Sequence, residues 1–175
     1  AGFAALLFVQ PPHVLVAADG SLFAIRGDDG RVVLSPGRGD RFTRDMWLRH
    51  LAVPDASAWP EGVAPGGGMS CDGEGCLLRT AGGTVALVRD PEAAQEDCGR
   101  VDHVVQIDRV PRRMCRRGDV VLNSFLLWRD GAHSIRFTED GPVVRSTRAA
   151  RGARPWSRIS EKRRQYLRTS PTSRP

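Results

Sequence analysis

The chain has 175 residues and 19.1 kDa, 41% hydrophobic and 26% charged, a balance that fits one compact globular domain and excludes a wholly disordered, collagen-like or membrane-embedded chain. Its 19 Gly and 12 Pro point to many turns, and an aromatic content of 6% speaks against a dense surface for stacking bases. The net charge of +6 is unevenly held: from Arg148 onward nine basic residues meet one acid, Glu161, so the first 147 residues carry −2 and the pI near 10.0 belongs to an appended arm suited to phosphates, anionic lipid or an acidic protein.

Ala1 to Val9 are uncharged and run into Gln10 and Pro11-Pro12. A bilayer span takes about 20 apolar residues, and no basic stretch precedes the run as in a signal peptide. Two readings fit: the last turns of a transmembrane helix stopped by the prolines, or a buried first strand or helix of the domain. His13 to Ala17 is then an apolar run, Asp19-Gly20 a tight turn, Ser21 to Arg26 a second strand, and Asp28-Asp29-Gly30 a turn into Arg31 to Leu34. Asp40 is placed to cap a helix over Arg41 to Leu51, with Phe42, Met46, Trp47, Leu48 and Leu51 on one apolar face. Ala52 to Gly68 reads as a Pro/Gly-rich linker.

Beyond the linker, Cys76 to Thr80 and Thr84 to Arg89 form a hairpin around Ala81-Gly82-Gly83. Asp90-Pro91 opens a helix to about Cys98, and Val101 to Ile107 is a strand, so that this stretch reads as a βαβ unit. Val120 to Trp128, Ala132 to Phe137 and Pro142 to Ser146 are strands joined by Asp130-Gly131 and Asp140-Gly141. The expected fold class is α+β, hairpin-rich with two or three short helices. Residues 1–12 form the hydrophobic lead, 13–147 one mixed domain with halves 13–53 and 69–147, and 148–175 an extended, flexible basic tail with at most a short helix from Ser160 to Leu167.

Several chemistries are absent from the sequence. A Walker loop needs a Gly-Lys pair, and the only lysine, Lys162, follows Glu161. Gly66-Gly67-Gly68 lacks the strand and helix that a dinucleotide fingerprint requires, so no nucleotide cofactor is expected. His13, His50, His103 and His133 stand 37, 53 and 30 residues apart, without the close pair that usually fixes half of a metal site. No Gly-x-Ser-x-Gly elbow marks a nucleophile. Cys71, Cys76, Cys98 and Cys115 are the sharpest feature. Local pairing, Cys71 with Cys76 and Cys98 with Cys115, is the least demanding of three connectivities, with free buried thiols or a zinc site as the other readings. Disulfides would place the domain in an oxidising compartment. Arg112, Arg113, Arg116 and Arg117 form a basic cluster able to hold phosphates or simply to solvate a loop. In the tail, Arg158, Lys162, Arg163, Arg164 and Arg168 are the corresponding nucleic-acid-binding candidates.

Phe8 to Arg26, Cys76 to Asp102, Leu126 to Ser134, Arg154-Pro-Trp and Gln165-Tyr-Leu-Arg-Thr-Ser-Pro-Thr-Ser together resemble the C-terminal region of the ComEC family of competence proteins in its alphaproteobacterial form. The resemblance implies a polytopic inner-membrane channel that conducts single-stranded DNA, with residues 1–12 as the end of a transmembrane helix, this domain on the periplasmic side and a fold like a truncated, degenerate metallo-β-lactamase-like domain. The family's His-x-His-x-Asp-His run has no counterpart. Asp90 matches its metal-bridging aspartate, but Arg89 replaces the preceding glycine and Val105-Gln106-Ile107 stands where a His-His pair would be. One carboxylate cannot hold a divalent pair, so Asp90 is expected to be a vestigial ligand, and the domain a non-catalytic one that binds no cofactor. The expected partners are single-stranded DNA and the remainder of the channel. The alternatives are a divalent-metal-dependent nuclease with an unrecognised site, and a protein-interaction module whose basic tail binds lipid or nucleic acid.

Overall fold

The computed structural model describes residues 11–35, 41–59, 62–63, 68–107, 120–152 and 154. Along the chain these form β1 (Val14–Val16), β2 (Phe23–Arg26), β3 (Val32–Leu34), α1 (Arg41–His50), β4 (Ser57–Ala58), β5 (Gly62–Val63), β6 (Met69–Cys71), β7 (Gly75–Thr80), β8 (Gly83–Val88), α2 (Pro91–Asp97), β9 (His103–Ile107), β10 (Val120–Leu122), α3 (Ser124–Asp130), β11 (His133–Thr138), β12 (Gly141–Ser146) and α4 (Thr147–Arg151). The fold is α+β, as the sequence predicts. Its strands make two six-stranded sheets, ordered β12-β11-β1-β2-β3-β4 and β10-β9-β8-β7-β6-β5.

The sheets pack face to face. Alternating residues of the first sheet, Val14, Val16, Phe23, Ile25, Ile135 and Phe137, share one buried cluster with Leu78, Val85, Leu87, Val105 and Ile107 of the second. Such alternation puts every second side chain on the same face, and burying an apolar side chain of this size stabilises by about 1.5–3 kcal/mol. The outer face of the first sheet, Leu15, Ala24, Val32 and Leu34, is closed by Leu51 and Trp47 from α1 and its end. On the outer face of the second, Ala86, Val88 and Val104 are closed by Ala94 of α2. The result is four layers, helix on sheet on sheet on helix.

The βαβ unit forms as expected: β8 and β9 are parallel, Val85 opposite His103, with α2 crossing between them. The last hairpin returns to the first sheet, where β11 pairs antiparallel with β1, so the two sheets do not follow the two halves of the sequence. Three expectations are corrected. The linker from Ala52 to Gly68 contains β4 and β5, which complete one edge of each sheet. The run Val120 to Trp128 is not one strand, because Asn123 accepts a hydrogen bond from the Leu126 amide at 2.9 Å and starts α3 after three residues of β10. The basic tail begins as a helix rather than extended, since Ser146 caps α4 through the Ala149 amide at 3.2 Å.

In α1 the apolar face is only partly used. Trp47 and Leu51 turn inward, whereas Phe42 and Met46 are 70% and 47% exposed. The expected Asp40 cap lies outside the described residues, as do the short helix from Ser160 and residues Ala1 to Gln10. Among the described residues no helix is long and apolar enough to cross a membrane.

Candidate functional site

At the end of the sandwich where Pro11-Pro12 precede β1, an open cleft of about 510 Å³ is lined by His13, Arg26, Asp28, Arg136, Glu139 and Asp140. The ladder builds it. Val14 lies opposite Ile25 on one side and Ile135 on the other. One step along, His13 lies next to Arg26 on one side and Arg136 on the other; the Arg26 amide donates to the His13 carbonyl in register, whereas the His13 amide steps one residue out of register to the Ile135 carbonyl. The turn between β7 and β8 closes the cleft from the second sheet through Ala81. It can approach because Gly82 has no side chain: a Cβ there would lie 2.5 Å from the Thr138 carbonyl oxygen.

His13 is buried and fully engaged. The prolines before it have no N–H to continue a ladder, and its own Nδ1 accepts the next amide of β11, that of Phe137, at 3.0 Å. The ring proton therefore sits on Nε2, which faces Asp28 Oδ1 at 3.4 Å. Burial lowers the ring's pKa below 6.5; the Asp28 charge opposes the shift, and Arg26 and Arg136 add to it. With a backbone N–H on Nδ1 and its own proton on Nε2, the imidazole has no free lone pair with which to act as a general base. The arginines on either side are less well served. The Nε atoms of Arg26 and Arg136 are buried with no hydrogen-bond partner, and among the described residues neither guanidinium has an ion pair, although three carboxylates line the same cleft.

The cysteines follow the expected local pairing as far as they are described. Cys71 and Cys76 form a disulfide across the β6–β7 hairpin, directly opposite each other in the ladder. The turn between them is shaped by Asp72, whose carboxylate accepts from the amides of Glu74 and Gly75, both at 2.9 Å. Both cysteines are buried in the core between the sheets. Cys98, at the end of α2, is also disulfide-bonded; Cys115 lies outside the described residues. The free-thiol and zinc readings do not hold for Cys71 and Cys76.

Asp90 is a helix cap. Its carboxylate accepts the Glu92 amide at 2.8 Å with Pro91 at the first helical position, which satisfies an orphan donor of α2. Arg112, Arg113, Arg116 and Arg117 lie outside the described residues, as do Arg158, Lys162, Arg163, Arg164 and Arg168. At the root of the tail, Asp130 binds Arg129 at 2.6 Å and Arg148 at 3.6 Å, tying α3 to the start of the basic arm.

The remaining histidines are dispersed. His133 Nδ1 donates to the Gly131 carbonyl at 2.8 Å, His103 stacks on Phe137 at 5.4 Å, and His50 ends α1. Among the described residues no group of three or more His, Cys, Asp or Glu is placed to hold a metal ion. Comparison with models of protein families, with curated proteins and with solved structures finds no match. Sequence reasoning missed the cleft. Its one local signal was a histidine directly after two prolines, where a strand loses its backbone donors.

Proposed function

We propose that this chain is a non-hydrolytic, extracytoplasmic domain of a membrane channel that takes up single-stranded DNA, its basic arm meeting the phosphate backbone. The observation that carries this reading is the Cys71–Cys76 disulfide within the core, because a bridge of this kind forms and persists in an oxidising compartment such as the periplasm. The resemblance to the ComEC family supplies the channel and its cargo. Asp90, the counterpart of that family's metal-bridging aspartate, serves this fold as a helix cap, which accounts for its presence without a metal. The charge asymmetry supports the arm: the excess cations follow Arg148, and the body before it is near neutral.

The test is binding of a fluorescent single-stranded oligonucleotide by the full chain and by a variant with Arg158, Lys162, Arg163, Arg164 and Arg168 changed to Gln, across a series of salt concentrations. If the arm neutralises about four phosphates, the log-log salt slope is about −3, since each contact on a single strand contributes about −0.7. The variant, which keeps four of the arm's nine cations, should then bind more weakly and with a shallower slope. Equal, salt-independent binding by both would overturn the role of the arm. Cleavage of the oligonucleotide on addition of Mg²⁺ or Mn²⁺ would favour the nuclease reading instead.

A further inference from the structure

We propose that the cleft between Arg26 and Arg136 is a binding site for a single phosphate group, present as the free ion or carried by a small phosphomonoester. The two arginines flank His13 in one row across three strands. At the usual inter-strand spacing of about 4.8 Å their backbones stand about 10 Å apart, within reach of one group held above the imidazole. Neither has a counter-ion among the described residues, and the Nε of each is buried without an acceptor.

The carboxylates of the cleft do not fill that role. Asp28 is directed at His13, and Glu139 and Asp140 lie exposed in the turn between β11 and β12. Neither guanidinium is in direct contact with one of these carboxylates, so an anion seated between the two arginines would meet both at hydrogen-bond distance, which the acids of the cleft do not. The row selects among anions. A carboxylate has two oxygens, which one planar guanidinium already occupies in a bidentate pair, whereas a phosphoryl group offers oxygens to both arginines at once. The volume of about 510 Å³ suits a small ligand. The three acids around the arginines disfavour an extended polyanion, so this site is separate from the arm proposed to meet DNA and stands or falls without it.

The experiment titrates the full chain in chloride buffer with inorganic phosphate and separately with phenyl phosphate, following backbone amide signals by NMR. The expected result is a saturable shift at Arg26, Arg136 and Phe137. Arg26→Gln and Arg136→Gln should each weaken binding by about tenfold or more, the usual effect of losing a charge-assisted hydrogen bond, while Arg145→Gln, on the exposed part of β12, leaves it unchanged. Tighter binding of phenyl phosphate supports a phosphomonoester as the ligand, and tighter binding of phosphate supports the free ion. Absence of saturable shifts, or shifts in the wild-type chain confined to amides away from these three, overturns the site even where a variant does not fold. Equal affinity of the Arg26, Arg136 and Arg145 variants overturns it as well.

Discussion

At the end of α1 the chain reverses on Ala52, the one residue other than glycine with a positive φ among those described, at 55°. The bonds around it are those of a helix terminated by a left-handed residue: the Val53 amide reaches back to the Leu48 carbonyl at 3.0 Å and the Ala52 amide to the Arg49 carbonyl at 3.2 Å. An L side chain in that conformation costs about 1–2 kcal/mol, and glycine recovers this less about 0.4–1 kcal/mol for its freer unfolded chain. Ala52→Gly is therefore expected to stabilise the protein by about 0.5–1 kcal/mol, measured as a rise in the urea midpoint at unchanged m-value. A loss of stability would mean that the turn is held by something other than this bond pattern. The glycines that carry the hairpin turns need no such repair. Gly20, Gly30 and Gly141 have φ of 70°, 83° and 113°, and each was legible from its Asp-Gly pair.

Where the sequence misled was in elements whose type is decided by a partner. From Val120 to Trp128 the residues are almost all apolar, and periodicity alone does not distinguish a buried strand from a buried helix over so short a run. The Asn123-Ser124 pair inside it carries the decision: Asn123 accepts the Leu126 amide, and the helix that follows buries Leu127 between the sheets. Asn123→Ala should cost about 1 kcal/mol, and Asn123→Asp, which keeps the acceptor, much less. Chemical denaturation of the two variants checks this, and equal losses would show that the cap does not set the boundary. The strands β4 and β5 were missed for another reason. Each is two residues long and exists only as an addition to the edge of a sheet already formed. The hairpin closed by Cys71 and Cys76, by contrast, was readable because its partners are five residues apart. The cleft was not readable, since it brings together residues 124 apart, such as His13 and Phe137, and nothing near either one announces the pairing of β11 with β1.

The molecule as a whole depends on that pairing, because β11 brings the end of the chain into the first sheet, and a histidine lies at each end of its contact with β1. His13 accepts the Phe137 amide; His133, opposite Val16, donates to the Gly131 carbonyl. Burial is the leading cause that holds both rings below the ordinary histidine value of 6.5. The unfolded chain takes up protons at these rings near pH 6.5, while the folded chain resists until each ring's lower folded value. Between those limits the unfolded state binds more protons, so stability increases with pH there and is lost as the solution is acidified. The carboxylates with shifted values act lower, around 3.8, and in opposite senses: hydrogen bonding from Ser21 lowers Asp19 and burial raises Asp97. The melting temperature should thus be level above about pH 7 and fall as the pH is taken from 6.5 toward 5. For His13 the loss has a structural form, since protonating Nδ1 removes the acceptor of the Phe137 amide and sets a cation between Arg26 and Arg136. His13→Gln, whose carbonyl offers that amide an acceptor without a titrating ring, should flatten the fall, and scanning calorimetry of both chains between pH 7.5 and 5 measures it. A wild-type melting temperature that stays constant over this range would mean that neither ring is held neutral by the joint between β1 and β11.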